Sequence, residues 1–141
     1  MYERVVDVPR LLAFYRTGEP LPHPVLDEAR QALSAHYAAE LGEPFTTAGL
    51  CHYRDSVAWH GDRIGRGARE DTRVAILSVG TPRDLLLCPR RGGDVVRRPL
   101  GHGDLIVMGG SCRRTWEHAI PKTARAAGGR ISIQFRPHGV Q

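Results

Sequence analysis

A mostly β domain with helical cover at its N-terminal side, of the jelly-roll or another double-sheet type, is the fold class this sequence predicts. Three observations carry it. One helical period of apolar residues occupies positions 24–41; after Gly42 the chain breaks into short apolar runs of strand length; and Gly and Pro separate most of those runs without the strand–helix alternation of a βαβ fold.

The helix comes first. Leu26, Ala29, Leu33, Tyr37 and Leu41 recur at three- and four-residue steps, with Pro24 at the start and Gly42 beyond the end, so the spacing predicts one helix from Pro24 to Leu41 packing one face on a sheet. The strand-length runs follow: Phe45 to Tyr53, Val57 to His60, Arg73 to Ser78, Asp84 to Leu87, Val95 to Leu100, Asp104 to Met108 and Arg130 to Arg136. No repeat, linker or low-complexity tract divides them, so residues 1–141 are expected to form a single domain. A domain of this size buries roughly two-thirds of its unfolded surface, enough for one core holding one cofactor-sized cavity.

Composition narrows the class further. No apolar run approaches the ~20 residues of a membrane span, and Met1 to Asp7 lacks the pattern of a secretory signal, so a soluble, cytoplasmic monomer is the expectation. Cys51, Cys88 and Cys112 are odd in number and widely spaced, which favours free thiols over a disulfide framework or zinc knuckle. The net charge of +5 is an arginine effect, since Lys122 is the only lysine. Arg63, Arg66, Arg69 and Arg73, then Arg90, Arg91, Arg97 and Arg98, suit a phosphate-bearing partner, or express only a compositional habit.

Three features carry chemistry. In His60-Gly61-Asp62, residues two apart in extended chain share a face, so an imidazole and a carboxylate converge; such pairs are also common on surfaces. His118, beyond the apolar run Leu105 to Met108, is the candidate third ligand, or a histidine packed beside Trp116. Two histidines and a carboxylate on one side of a metal leave three positions open, the arrangement of non-haem Fe(II) oxygenases. In Arg130 to Arg136, Ile131, Ile133 and Phe135 alternate with Arg130, Ser132, Gln134 and Arg136. The polar face is either solvated or the lining of a pocket whose guanidiniums bind a dicarboxylate.

In order and interval these residues resemble the AlkB family of Fe(II)- and 2-oxoglutarate-dependent dioxygenases, the oxidative dealkylases: His-x-Asp at 60 and 62, Gly101-His102-Gly103-Asp104-Leu105 leading through Met108-Gly109-Gly110 to Trp116-Glu117-His118, then Arg130 and Arg136. The resemblance covers Tyr53 to Arg136 and implies a double-stranded β-helix binding Fe(II) through His60, Asp62 and His118. It implies that Arg130, helped by Tyr53, meets the distal carboxylate of 2-oxoglutarate, that Arg136 lies near the metal-side carboxylate, and that Ser132 sits between them. Trp59 and Arg83 fall on the substrate side, Arg83 near the entrance, and no catalytic residue is expected beyond the metal site. The implied reaction consumes dioxygen and 2-oxoglutarate, releases succinate and carbon dioxide, hydroxylates a methyl carbon on an alkylated base and sheds it as formaldehyde, as in DNA alkylation repair. Single-stranded DNA is the expected partner; the alternatives are a non-catalytic nucleic-acid-binding fragment, or an oxygenase acting on RNA or protein. Relative to the family pattern, the expectation is a shortened chain without the N-terminal lid segment; the Tyr53 to His60 span is about three residues shorter, which implies a tighter hairpin, and Cys51 stands where other branches carry Asn.

Overall fold

The computed structural model describes residues 10–53, 56–61, 66–122 and 128–140. Its elements run β1 (Arg10–Tyr15), α1 (Pro24–His36), α2 (Ala38–Leu41), β2 (Thr47–Tyr53), β3 (Val57–His60), β4 (Val74–Gly80), β5 (Arg83–Pro89), β6 (Val96–Leu100), β7 (Leu105–Met108), α3 (Cys112–Thr115), β8 (Trp116–Ile120) and β9 (Arg130–Arg136). All seven expected strands are present, and both sheets are antiparallel: β1-β2-β9-β4-β7 is the larger and β3-β8-β5-β6 the smaller.

Three expectations need correction. The helix is broken once, at Tyr37, whose φ of −100° and ψ of 11° end α1 before α2 begins. A one-residue break leaves the three- and four-residue spacing almost intact, so periodicity does not register it. Gly42 then closes α2 at φ 65°, a left-handed position suited to glycine. The second correction is β1, an edge strand with exposed Leu11, Leu12 and Phe14. Its apolar residues fall on both faces, so the period-2 signal is absent. The third is β8, which contains His118 rather than leading to it from an earlier strand.

Burial separates two layers. On the outer face of the larger sheet, Phe45, Ala48, Ala75, Ile133 and Phe135 pack with Leu26 of α1, and Ala29, Leu33 and Tyr37 extend that contact. Between the sheets lie Val74, Ile76 and Met108 from the larger and Leu85, Leu100 and Ile120 from the smaller, with Leu87 and Ile106 touching both groups. Because side chains alternate along a strand, this fixes every orientation on β9: Ile133 and Phe135 point at the helix, and Arg130, Ser132, Gln134 and Arg136 point between the sheets. Arg130 and Ser132 are 4% and 2% exposed, whereas Ile131 is 39% exposed. The polar face of β9 is therefore internal.

This orientation predicts unequal costs along one strand. Phe135→Ala should destabilise the protein by about 3–5 kcal/mol, the usual cost of emptying a fully buried aromatic site, whereas Ile131→Ser should stay within about 1 kcal/mol. Urea denaturation midpoints at a constant m-value measure both; equal losses would show that β9 is oriented otherwise.

Candidate functional site

The two described histidines of the proposed metal set meet on the smaller sheet. β3 and β8 pair antiparallel with Val57 opposite Ile120 and His60 opposite His118, so three steps on β3 match two on β8. That extra residue is a β-bulge, and it reverses the parity of β3: Val57 packs into the inter-sheet core, and without the bulge His60 would point the other way. With it, the His60 and His118 rings lie side by side, centroids 4.0 Å apart and tilted by 58°. His60 Nδ1 lies 2.9 Å from the Ala58 carbonyl. Donating there fixes the tautomer and leaves Nε2 with its lone pair outward, as metal-binding histidines commonly do.

Glycine is required at position 61. A Cβ at Gly61 would lie 2.8 Å from the Trp116 carbonyl oxygen and 2.7 Å from Arg90 Nη2, so the chain turns hard against β8 directly after His60. Asp62 lies outside the described residues. His118 is pushed down to about 3, first by desolvation and then by electrostatic interaction with His60, Arg113 and Arg136. A histidine held neutral in a half-buried, cationic surrounding presents a lone pair, and an anion or a metal–carboxylate assembly would complement it.

Across the sandwich stands a polar wall. Arg130 Nη2 donates to Ser78 Oγ at 3.1 Å. Arg136 Nη2 donates to Gln134 Oε1, and Gln134 Nε2 donates to Ser132 Oγ at 3.2 Å, so Gln134 links Arg136 to Ser132 along the strand. Both arginines make other contacts besides, yet each Nε–H is buried with no acceptor among the described residues. Register extends the wall sideways: Tyr53 and Gly80 flank Arg130, and Cys51 and Ser78 flank Ser132. Gly49 faces the Arg136 side chain, whose Nη1 would lie 3.5 Å from a Cβ at that position. A buried Arg130 and a half-buried Arg136 make the wall cationic, and its chemistry fits a dianion such as 2-oxoglutarate.

The remaining expected residues land less centrally. Trp59 is exposed on β3. Arg83 is buried, donating from Nη2 to the Pro121 carbonyl at 2.6 Å, and lines a cavity of about 560 Å3 with Asp84, Arg97 and Lys122. In the first arginine cluster, Arg66 binds Glu43 and Glu70 and Arg73 binds Glu40, while Arg63 lies outside the described residues. In the second, Arg97 pairs with Asp84, and Arg90, Arg91 and Arg98 are exposed. Cys51, Cys88 and Cys112 are free thiols. Sequence reasoning missed Ser78 and Arg113. A polar residue closing the apolar alternation Val74, Ile76, Ser78 is the signal for the first; for Arg113, buried on a single helical turn, the sequence holds none.

A two-sheet β fold with paired histidines on one sheet and a buried cationic wall on the other defines a class, the metal-dependent oxygenases that take an oxoacid cosubstrate. The chain belongs to the 2OG-Fe(II) oxygenase superfamily, whose family model matches residues 15–136. It is 33% identical over 155 residues to the human alpha-ketoglutarate-dependent dioxygenase alkB homolog 3, covering 91% of this chain and 51% of that protein. It is 31% identical over 135 residues to the Arabidopsis thaliana DNA oxidative demethylase ALKBH2, covering 76% of this chain and 42% of that one. This chain thus spans about half the length of the curated relatives it matches. The solved structure of OsALKBH1 superposes with a TM-score of 0.62 at 16% identity, over 96% of this chain and 83% of that one, which shows the shared fold. By these matches the chain is AlkB-like, within a superfamily named for Fe(II) and 2-oxoglutarate.

The depressed His118 sets a pH signature in metal-free protein. Between about 3 and 6.5 the unfolded chain carries a proton on His118 that the folded chain does not. Stability therefore falls as pH drops through that window, by at most about 1.4 kcal/mol per pH unit from this group. His118→Leu should flatten the decline between pH 6.5 and 4.5 in chemical denaturation; an unchanged slope would show that His118 titrates normally.

Proposed function

We propose that this chain is the catalytic core of a dioxygenase that oxidatively removes methyl groups from alkylated bases in nucleic acid, with single-stranded DNA as the substrate. The observation that carries the reading is the inward cationic wall of β9 facing the His60–His118 pair. His60, Asp62 and His118 hold Fe(II); Arg130, with Tyr53 beside it, anchors the distal carboxylate of 2-oxoglutarate; Ser132 lines the floor; and Arg136 lies toward the metal-side carboxylate. When bound, iron with 2-oxoglutarate and dioxygen supplies the oxidation that hydroxylates a methyl carbon.

The protein's own part is orientation and charge. The Ala58 carbonyl holds the His60 ring with Nε2 outward, Gly61 lets the chain turn against Trp116, and Gln134 fixes the Arg136 guanidinium. The two sheets exclude water from Arg130 and Ser132, which strengthens the charged contacts made there. Exposed Arg90, Arg91 and Arg98 suit a phosphate backbone, and Arg90 lies against Gly61, beside the histidines. The substrate class follows the names of the relatives, one of which is a DNA oxidative demethylase. A methylated base in a single strand costs least to bring out of its stack.

His60→Ala, Asp62→Ala or His118→Ala should each abolish Fe(II) retention at equimolar metal, because two ligands do not define the site; His23→Ala and His36→Ala should retain it. Full retention in any of the first three would overturn the ligand set. Arg130→Met should keep iron while 2-oxoglutarate affinity falls roughly 10²- to 10³-fold, since removing one partner of a buried charge pair costs about 3–5 kcal/mol. Arg130→Lys should recover only part of it. Anaerobic loading with Fe(II), then succinate measurement on admitting oxygen, should show turnover stimulated by methylated over unmethylated single-stranded DNA. No succinate under any condition would leave a non-catalytic fold, and stimulation by methylated RNA alone would reassign the substrate.

A further inference from the structure

The turn Gly101-His102-Gly103-Asp104, between β6 and β7, takes no part in the site as described above. It is braced internally: Gly101 N–H donates to Asp104 Oδ2 at 2.7 Å, Asp104 N–H donates to the Gly101 carbonyl at 3.1 Å, and Gly103 sits at φ 85°. What it grips is β4. Gly103 N–H donates to the Ser78 carbonyl at 2.7 Å, Ser78 N–H donates to the Asp104 carbonyl at 2.9 Å, and Gly80 N–H donates to His102 Nδ1 at 3.0 Å. The β4–β7 ladder has its last pair at Leu77 and Leu105, so the turn takes over where the ladder stops.

The two residues gripped are the ones that back the cationic wall. Ser78 pairs with Ser132 and Gly80 with Arg130, and Ser78 Oγ accepts the Arg130 guanidinium. Gly80 has a φ of 102°, and a Cβ there would lie 2.6 Å from the Gly129 carbonyl oxygen, so the end of β4 is pressed against the residue that precedes Arg130. Thr81 N–H donates to that same carbonyl at 3.1 Å. A shift at Gly80 is thereby a shift of the backbone that carries Arg130.

We propose that His102 is a positioning residue for the cosubstrate anchor, its Nδ1 fixing the Gly80 N–H and through it the backbone from which Arg130 reaches the distal carboxylate of 2-oxoglutarate. The inference rests on Arg130 being that anchor. His102 and Gly80 are both exposed, so water can replace the lost acceptor and the fold survives its removal. What changes is the aim of Arg130.

The test is anaerobic binding of 2-oxoglutarate to the Fe(II)-loaded protein, together with steady-state succinate formation, for His102→Ala, His102→Asn, Arg130→Met and the His102→Ala/Arg130→Met double variant. His102→Ala should weaken 2-oxoglutarate about threefold to tenfold, the range one hydrogen bond of ordinary strength gives, raising KM for 2-oxoglutarate with kcat and Fe(II) affinity unchanged. His102→Asn, whose amide oxygen can stand where Nδ1 does, should restore most of it. In the double variant the His102 change should add nothing, because the anchor it aims is gone. Unchanged 2-oxoglutarate affinity in His102→Ala, an equal loss of iron, or full additivity would each overturn the positioning role. Unchanged affinity in Arg130→Met would instead sink the assignment of the anchor itself.

Discussion

The placing of two arginines, Arg130 buried and Arg136 half-buried, on the inward face of a central strand is the constraint on which the rest of this structure depends. β9 lies between β2 and β4, and Arg130 is paired on both sides, with Tyr53 and Gly80, whereas Arg136 is paired on one, with Thr47. Charge held there is costly, and the surrounding residues reduce the cost: Ser78 accepts from Arg130, and Gln134 accepts from Arg136 while donating to Ser132. A strand built only for stability would bury its apolar face on both sides. This one gives the inter-sheet space to cations and makes stability elsewhere.

Elsewhere is the outer layer. Phe45, Phe135, Ile133 and Leu26 close the larger sheet under α1, and each large apolar side chain buried in this way contributes about 1.5–3 kcal/mol. The helix on that face frees the opposite face of the same sheet for polar work. The interior cores at Val74, Ile76 and Met108, and at Leu85, Leu100 and Ile120, hold the two sheets together around the polar region without filling it.

The smaller sheet solves a different problem, bringing two histidines to one point from strands whose spacing opposes it. A regular β3 would direct Val57 and His60 to opposite sides of the sheet. The bulge between them lets Val57 stay in the core while His60 meets His118, and the glycine at 61 lets the chain turn away at once. His118 is kept neutral by its desolvated, cationic position, so the lone pair is available without proton release.

By itself the sequence determined the seven strands it was expected to hold, the side of β9 on which each residue falls, and the order and spacing of His60, Asp62, His118, Arg130 and Arg136, because alternation and turn residues are local properties. It did not hold the edge strand β1, whose Leu11, Leu12 and Phe14 lie on both faces, nor the break at Tyr37, which preserves the helical spacing. Tertiary structure alone decided which face of β9 is inside, since an alternating strand reads identically in either orientation until α1 covers Phe135 and Ile133. It alone also decided that His60 turns toward His118: a β-bulge is defined by two strands in register, and β3 and β8 are separated by more than fifty residues of intervening chain.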